Sequence, residues 1–435
     1  MMTEVEGWVA RLPDQLAQLA GIDELLFAGV YAERTDYARI SKSRVNQSGM
    51  VDQRDLSLTL IQGQRQTRMD ITAAWPSMAE LSQWVAQLRD DLRQVPEDPW
   101  LNPSQEARQA RGGDYGSSVD FNAMVAALCE AGASQDLVGI VTGGPQYYAV
   151  CSSIGHRLEF LGGGSMVDLS SFDPDNNASK ALLANPTPAQ LHALPRQMHK
   201  QLQALQLPVQ TLRPDAYRAW LAPEALAELW GVLSWQGFTV EMLRSGMSPL
   251  RLLYSGERQL HADVSLWEDR AGLGLPTFTH DGHPLPGAIP LIQNGKAHDG
   301  LADSRAAKEF GVAINGSGYA AALSMGPGTL PDGDVLEAIG TGLYLGHLWY
   351  ANVSDPASCR VTAMTRYDCF WVEGGRIVGP VAPSRIDSSL FQLLGEDLLA
   401  LGQDLHRLPE RHTYGQRAWG GMRLPGALTR VQVTL

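Results

Sequence analysis

Several short groupings in this chain combine residue types that can hold a metal, move a proton or cradle a phosphate. His280-Asp281-Gly282-His283 places two imidazoles and a carboxylate side by side, a donor set suited to a divalent ion. The same residues fill the polar interval between the strand-like TFT and PLPGAIPLI, and that composition favours a surface turn. Cys359 and Cys369 are separated by roughly 33 Å if one extended strand carries both. They are therefore expected as buried thiols rather than as ligands of one ion. His156 and Glu159, in GHRLEF, point to opposite faces of a strand and are expected to serve strand pairing.

Nucleotide and nucleophile motifs are absent. Gly340-x-Gly342-x-x-x-Gly346 is too long for a dinucleotide fingerprint and opens no helix, and Asn294-Gly295-Lys296-Ala297 lacks the remainder of a phosphate loop. Asn315-Gly316-Ser317-Gly318 has the wrong spacing for a nucleophile elbow, so its glycines are expected in a turn. A hydrolase built on Asp281, His283, Glu337 or Asp368 has no pattern behind it. The tryptophans at 230, 235, 349, 371 and 419 are expected mainly in the core.

The 435 residues allow two or three domains, and 44% hydrophobic with 19% charged content belongs to a globular chain with a sizeable core. With 34 basic and 47 acidic residues the net charge is −13. That charge repels phosphate backbones, so no nucleic-acid partner is expected. The acidic start MMTEVEGWVARLPDQ and the lack of a long apolar run imply no membrane segment and a cytoplasmic location. Four cysteines are too sparse for a disulfide framework.

Periodicity predicts one amphipathic helix over Val5 to Ala20, then antiparallel strands at Leu25 to Ala32, Arg39 to Val45, Val51 to Ile61 and Gln66 to Thr72. Ser77-Met78-Ala79-Glu80 is a capping box for a helix reaching about Arg93. Phe121 to Ala131 is a helix. A hairpin is expected to turn at Gly143-Gly144-Pro145, followed by a strand whose Gly162-Gly163-Gly164 marks a bulge or a close backbone approach. Residues 178 to 205 show helical spacing, and Pro223 opens another helix with Leu226, Leu229, Trp230 and Leu233 on its apolar stripe. Cys359 to Gly379 reads as a hairpin turning at Gly374-Gly375. The sum is an α+β fold: an N-terminal region of helices and antiparallel sheet (1–105), a central α+β region (106–213) and a strand-rich C-terminal domain (214–435).

The segment LWYANVSDPASCRVTAMTRYDCFWVEGGRIVGPV resembles the C-terminal signature of the TldD/PmbA family. Gly374 replaces the Asn usual in that family's hairpin turn, and the likeness extends to a final helix from Ser384 to about Leu405 and a Gly-rich tail. The resemblance implies a peptidase frame in which TldD-like members bind zinc through His-Glu-x-x-x-His and a late Cys. In this chain the motif frame falls on Gly231-Val232-Leu233-Ser234-Trp235-Gln236, and Thr413 or Tyr414 stands at the third ligand position. The departure matches the PmbA (TldE) branch. It implies no metal or other cofactor in this chain, zinc only in a TldD-like partner, a dimer with that partner or with itself, and peptide substrates. Trp235, Gln236, Tyr414 and Trp419 are then the residues expected to line a substrate cavity. The alternative is a homodimeric peptide-binding or scaffolding protein without hydrolysis.

Overall fold

The computed structural model describes residues 2–72, 75–115, 120–411 and 415–434. Its fold is α+β, with a helix-covered sheet first and a strand-rich part after it. Seven strands form the first sheet: β1 (Glu24–Ser41), β2 (Arg44–Gln62), β3 (Arg65–Thr72), β4 (Gln109–Gly113), β5 (Asp136–Ser152), β6 (Arg157–Phe172) and β7 (Ala178–Ala184). They are ordered β3-β2-β1-β5-β6-β4, with β7 also on β6. All pairs are antiparallel except β4 with β6. Strands from both sides of residue 105 thus share one sheet.

Alternation along β1 assigns its two faces. Leu26, Ala28, Val30 and Ala32 are buried with Leu56, Leu58, Leu60, Tyr147 and Ala149 under the helices Met2–Val9, Leu12–Leu19 and Met78–Leu92. The intervening residues Gly29, Tyr31 and Glu33 face the other way, toward the C-terminal part. The Ser77–Glu80 capping box is present, with the Glu80 carboxylate accepting from Ser77 N at 2.8 Å.

Several expected elements differ. The first helix is two, because Arg11 at the second N-cap and Pro13 beside it end one helix and start another. β1 is one strand where two were expected, and β5 runs straight through Gly143-Gly144-Pro145. Gly144 sits at φ +134 with the Arg34 carbonyl of β1 against the place of a Cβ, so it serves a close approach rather than a turn. Residues 178 to 184 are strand, and the helix begins at Pro188, capped by Thr187.

The C-terminal part contains two sheets. One runs Lys296–Ala297, Ala288–Gln293, Leu266–Asp269, Ala322–Met325, Gly421–Leu424, His406–Pro409. In the other, Gly342–Asp355, Asp215–Leu221, Ala427–Val433, Arg385–Ser389 and Arg360–Glu373 follow in order, and pairing of the first with the last closes a ring. The expected hairpin at Gly374-Gly375 joins Arg360–Glu373 to Arg376–Pro380. The expected helix from Ser384 to Leu405 does not form. Its first residues extend as Arg385–Ser389 against Arg360–Met364, leaving only a short π-helical turn at Gln392–Glu396. Leu226, Leu229, Trp230 and Leu233 of the helix Pro223–Ser234 share one core with Leu266, Leu291 and Leu323 of the first sheet and Leu343, Leu345 and Ala363 of the second. Among the described residues no helix is long and apolar enough to cross a membrane.

Candidate functional site

The polar face of the first sheet does not pack flush on the C-terminal part. Between them lies a cavity of about 950 Å³. Gly29, Tyr31, Asp55, Ser57, Arg68, Asp70 and Tyr148 line it from the sheet, and Ser234, Trp235, Gln236, Glu241, Arg270 and Tyr319 from the opposite side. Ala418, Trp419 and Met422 form a third wall. Such a volume accommodates several residues of an extended chain, and its mixture of aromatic, apolar and hydrogen-bonding surface suits a peptide.

Trp235 and Gln236 owe their position to the way their helix ends. Ser234 Oγ donates back to the Gly231 carbonyl at 2.7 Å, and Gly237 N donates to the Leu233 carbonyl at 2.8 Å. The tight turn between leaves both side chains projecting, with Trp235 76% exposed. A Cβ at Gly237 would press on the Leu233 carbonyl, which is why glycine stands there.

Trp419 reaches the site by another route. It packs edge-on against Phe160 (5.3 Å between centroids) and Tyr31 (6.3 Å), directly over Gly162. The glycine triplet of β6 is therefore a set of close approaches: Gly162 admits the indole, Gly163 meets the Gly144 carbonyl of β5, and Gly164 presents its carbonyl to Arg417. Gly162→Ala puts a Cβ into the indole. We expect it to turn Trp419 out of the wall and to cost about 1–3 kcal/mol, the usual range for overpacking, read by denaturant unfolding and by a red-shifted tryptophan emission.

The tail that carries Trp419 is pinned by a buried polar network. Arg417 Nη1 donates to Gly164 O (3.0 Å) and Nη2 to Gly144 O (2.7 Å), while its backbone N donates to Glu33 Oε2 (3.3 Å). Glu33 is 3% exposed, lies 3.4 Å from Arg417 Nε and accepts from Tyr31 Oη at 2.8 Å. Gln146 Nε2 donates to both Tyr31 Oη and the Arg417 carbonyl. Burial pulls the Arg417 guanidinium below its ordinary pKa, an effect Glu33 opposes, and burial beside that carboxylate pushes the Tyr31 phenol up. On the far wall Arg270, 8% exposed, holds Glu268 at 3.3 Å and donates through Nε to the Pro276 carbonyl at 2.8 Å. Burial raises Glu268 above the usual carboxylate range although Ala321 N and Ala322 N both donate to it.

Trp235, Gln236 and Trp419 are brought together; Tyr414, with Thr413, lies outside the described residues. Tyr31, Asp55, Glu241, Arg270 and Tyr319 were not anticipated. For Tyr31 the sequence held a signal, since Gly29-x-Tyr31-x-Glu33 alternates with an apolar series on one strand. The other four converge only through tertiary structure.

The remaining groupings lie elsewhere. His280 borders the cavity, but Asp281 accepts from Thr279 and Ser304, its carbonyl accepts from Ser104 N at 2.9 Å, and His283 bonds Asn102 O at 2.8 Å. That turn is a docking point for the proline-rich connection rather than a free surface loop. His156 is fully buried between Ser152 and Ser104, and Glu159 accepts from Tyr147 Oη at 2.8 Å. Cys359 and Cys369 are buried free thiols, pushed by desolvation up to about 12 and about 11. Among the described residues no three His, Cys, Asp or Glu side chains converge to hold an ion. Ser234, Trp235 and Gln236 bring hydroxyl, indole and amide groups to the cavity, a donor set that does not fit zinc.

Residues 214–433 match the PmbA/TldA metallopeptidase C-terminal domain. No curated protein matches the chain. Among solved structures, TldE from Thermococcus kodakarensis is similar with a TM-score of 0.76 at 15% identity, over 99% of this chain and 100% of that one. Two proteins described as candidate modulators of DNA gyrase are similar over 100% of both chains. The one from Thermotoga maritima has a TM-score of 0.75 at 14% identity, and the one from Bacteroides thetaiotaomicron 0.77 at 14%.

Proposed function

Because this chain belongs to the PmbA/TldD family, a metallopeptidase-related group, we propose that it is the subunit without its own metal in a TldD/PmbA-type peptidase, handling peptides or unfolded segments in the cytoplasm beside a zinc-bearing TldD-like chain. One observation carries this reading. At the end of Pro223–Ser234, where the resemblance places the family's metal motif, the residues that this chain offers to the cavity are Ser234, Trp235 and Gln236, a hydroxyl, an indole and an amide. Such groups can bind and orient a peptide but cannot activate water by coordination. This chain would supply part of the enclosing wall, with its partner supplying the reacting centre.

Co-expression with a chain carrying His-Glu-x-x-x-His tests the proposal. The two should co-elute as a complex containing one zinc per pair, with peptidase activity abolished by a chelator, whereas this chain purified alone should carry no stoichiometric metal. Failure of every such chain to co-elute, or a tightly held transition metal in the isolated protomer, defeats it. Pairing of two copies as a peptide-binding dimer is the second reading, favoured by the exposure of Trp235 on the cavity rim.

A further inference from the structure

We propose that the open rim of the cavity, where Trp235 and Tyr319 stand with Glu241, receives a cationic group of a bound peptide: a Lys or Arg side chain or a terminal ammonium. The proposal rests on the reading above only in taking a peptide as the occupant.

The two aromatic residues are 76% and 53% exposed, a large apolar area to leave in water. Their backbones are tied to one another. Ala320 N donates to the Ser234 carbonyl at 2.9 Å, so the turn bearing Tyr319 is hydrogen-bonded to the helix end bearing Trp235. Two π faces held on fixed backbone beside a cavity are suited to a cation, which binds an indole or phenol face through the ring quadrupole.

Charge around the cavity favours the same occupant. Its two guanidinium groups are already engaged, Arg68 by Asp70 at 2.7 Å and Arg270 by Glu268 at 3.3 Å. Among the described residues Asp55 accepts from neutral donors, Gln53 Nε2 at 3.0 Å and Thr72 Oγ1 at 2.6 Å. Glu241 is exposed in the first turn of Val240–Arg244 and lines the same space. The wall therefore carries carboxylate charge in excess of its cations, as the whole chain does at −13. An acidic peptide meets repulsion there; a basic one meets attraction together with aromatic faces.

The test uses two dye-labelled, unstructured peptides of equal length, identical except for Lys in one and Glu in the other. Binding to the full-length isolated chain is followed by fluorescence polarisation. The Lys peptide should bind about tenfold tighter, within the range of a partly desolvated cation–π contact plus an ion pair, and lose affinity as salt rises. Glu241→Gln combined with Asp55→Asn should bring the two peptides within about threefold, and Trp235→Ala should weaken the Lys peptide alone. Equal binding of both peptides, binding of neither, or a Lys preference that survives these substitutions overturns the inference. If Trp235→Ala abolishes co-elution with a His-Glu-x-x-x-His chain while peptide affinity is unchanged, the rim belongs to a subunit contact. The inference then fails and the subunit reading stands.

Discussion

Arg417→Ala will destabilise the protein by about 3–5 kcal/mol, because it strands the Glu33 carboxylate at 3% exposure without its cation. It also leaves the Gly144 and Gly164 carbonyls without their donors. The loss comes from unpaired buried charge more than from a missing attraction, and a double-mutant cycle separates the two. Arg417→Met combined with Glu33→Gln removes both charges and should recover most of the stability measured by denaturant unfolding. A single Arg417→Ala that costs less than about 1 kcal/mol would mean that water or another cation reaches Glu33, and the tail would not be pinned as described. Because Trp419 lies two residues along the same tail, the variant should also expose the segment 415–421 to limited proteolysis.

The second large effect is pH-dependent. Asp368 is 1% exposed on Arg360–Glu373, where its Oδ2 accepts from Lys180 N (3.1 Å) and Ser179 Oγ (3.3 Å) of β7 while Oδ1 has no hydrogen-bond partner among the described residues. Desolvation pushes its carboxyl from 3.8 to about 7. Between about pH 4 and pH 7 the folded protein therefore holds a proton that the unfolded chain has released. This group's contribution to stability declines as pH rises through that window and levels off above about 7. At 1.36 kcal/mol per unit the decline is about 4 kcal/mol. His347, with Nε2 3.9 Å from Asp368 Oδ2, runs the other way: burial lowers it from 6.5 to about 4, so its contribution falls as pH drops. The clean quantity is the difference between Asp368→Asn and the parent protein, since asparagine keeps an acceptor for Lys180 and Ser179 and cannot ionise. Unfolding at a series of pH values should show the variant gaining on the parent by up to about 4 kcal/mol between pH 4 and 7. A flat difference would mean that the carboxyl titrates normally.

Local patterns revealed those parts of the fold in which one face is buried and the other wet. β3, the Ser77 cap, the helix Phe121–Ala131 and the hairpin at Gly374-Gly375 all follow from alternation, capping or turn chemistry. The polar interval between Ala32 and Arg39 reads locally as a turn between two strands, and only the facing Arg417 tail explains why Glu33 belongs inside one. The Gly143-Gly144-Pro145 error has the same origin: glycines that permit crowding resemble glycines that permit turning. Ser384 to Leu405 is strand first because Arg360–Met364 offers it a ladder, a tertiary gain that local propensity cannot register. Family likeness pointed to Trp235, Gln236 and Trp419, which line the cavity, while Asp55, Glu241 and Tyr319 reach it from distant segments with no shared spacing.

In the ring-closed sheet, Asp215–Leu221 pairs along its whole length with Ala427–Val433 and also with Gly342–Asp355. One edge of the opening strand must therefore stay unsatisfied during synthesis until nearly all of the intervening polypeptide has emerged. Closing so long a loop is entropically slow and leaves a sticky backbone edge exposed meanwhile. The nascent C-terminal half is therefore expected to be prone to association through that edge, and shortening its final strand should harm yield from the ribosome more than any cavity substitution.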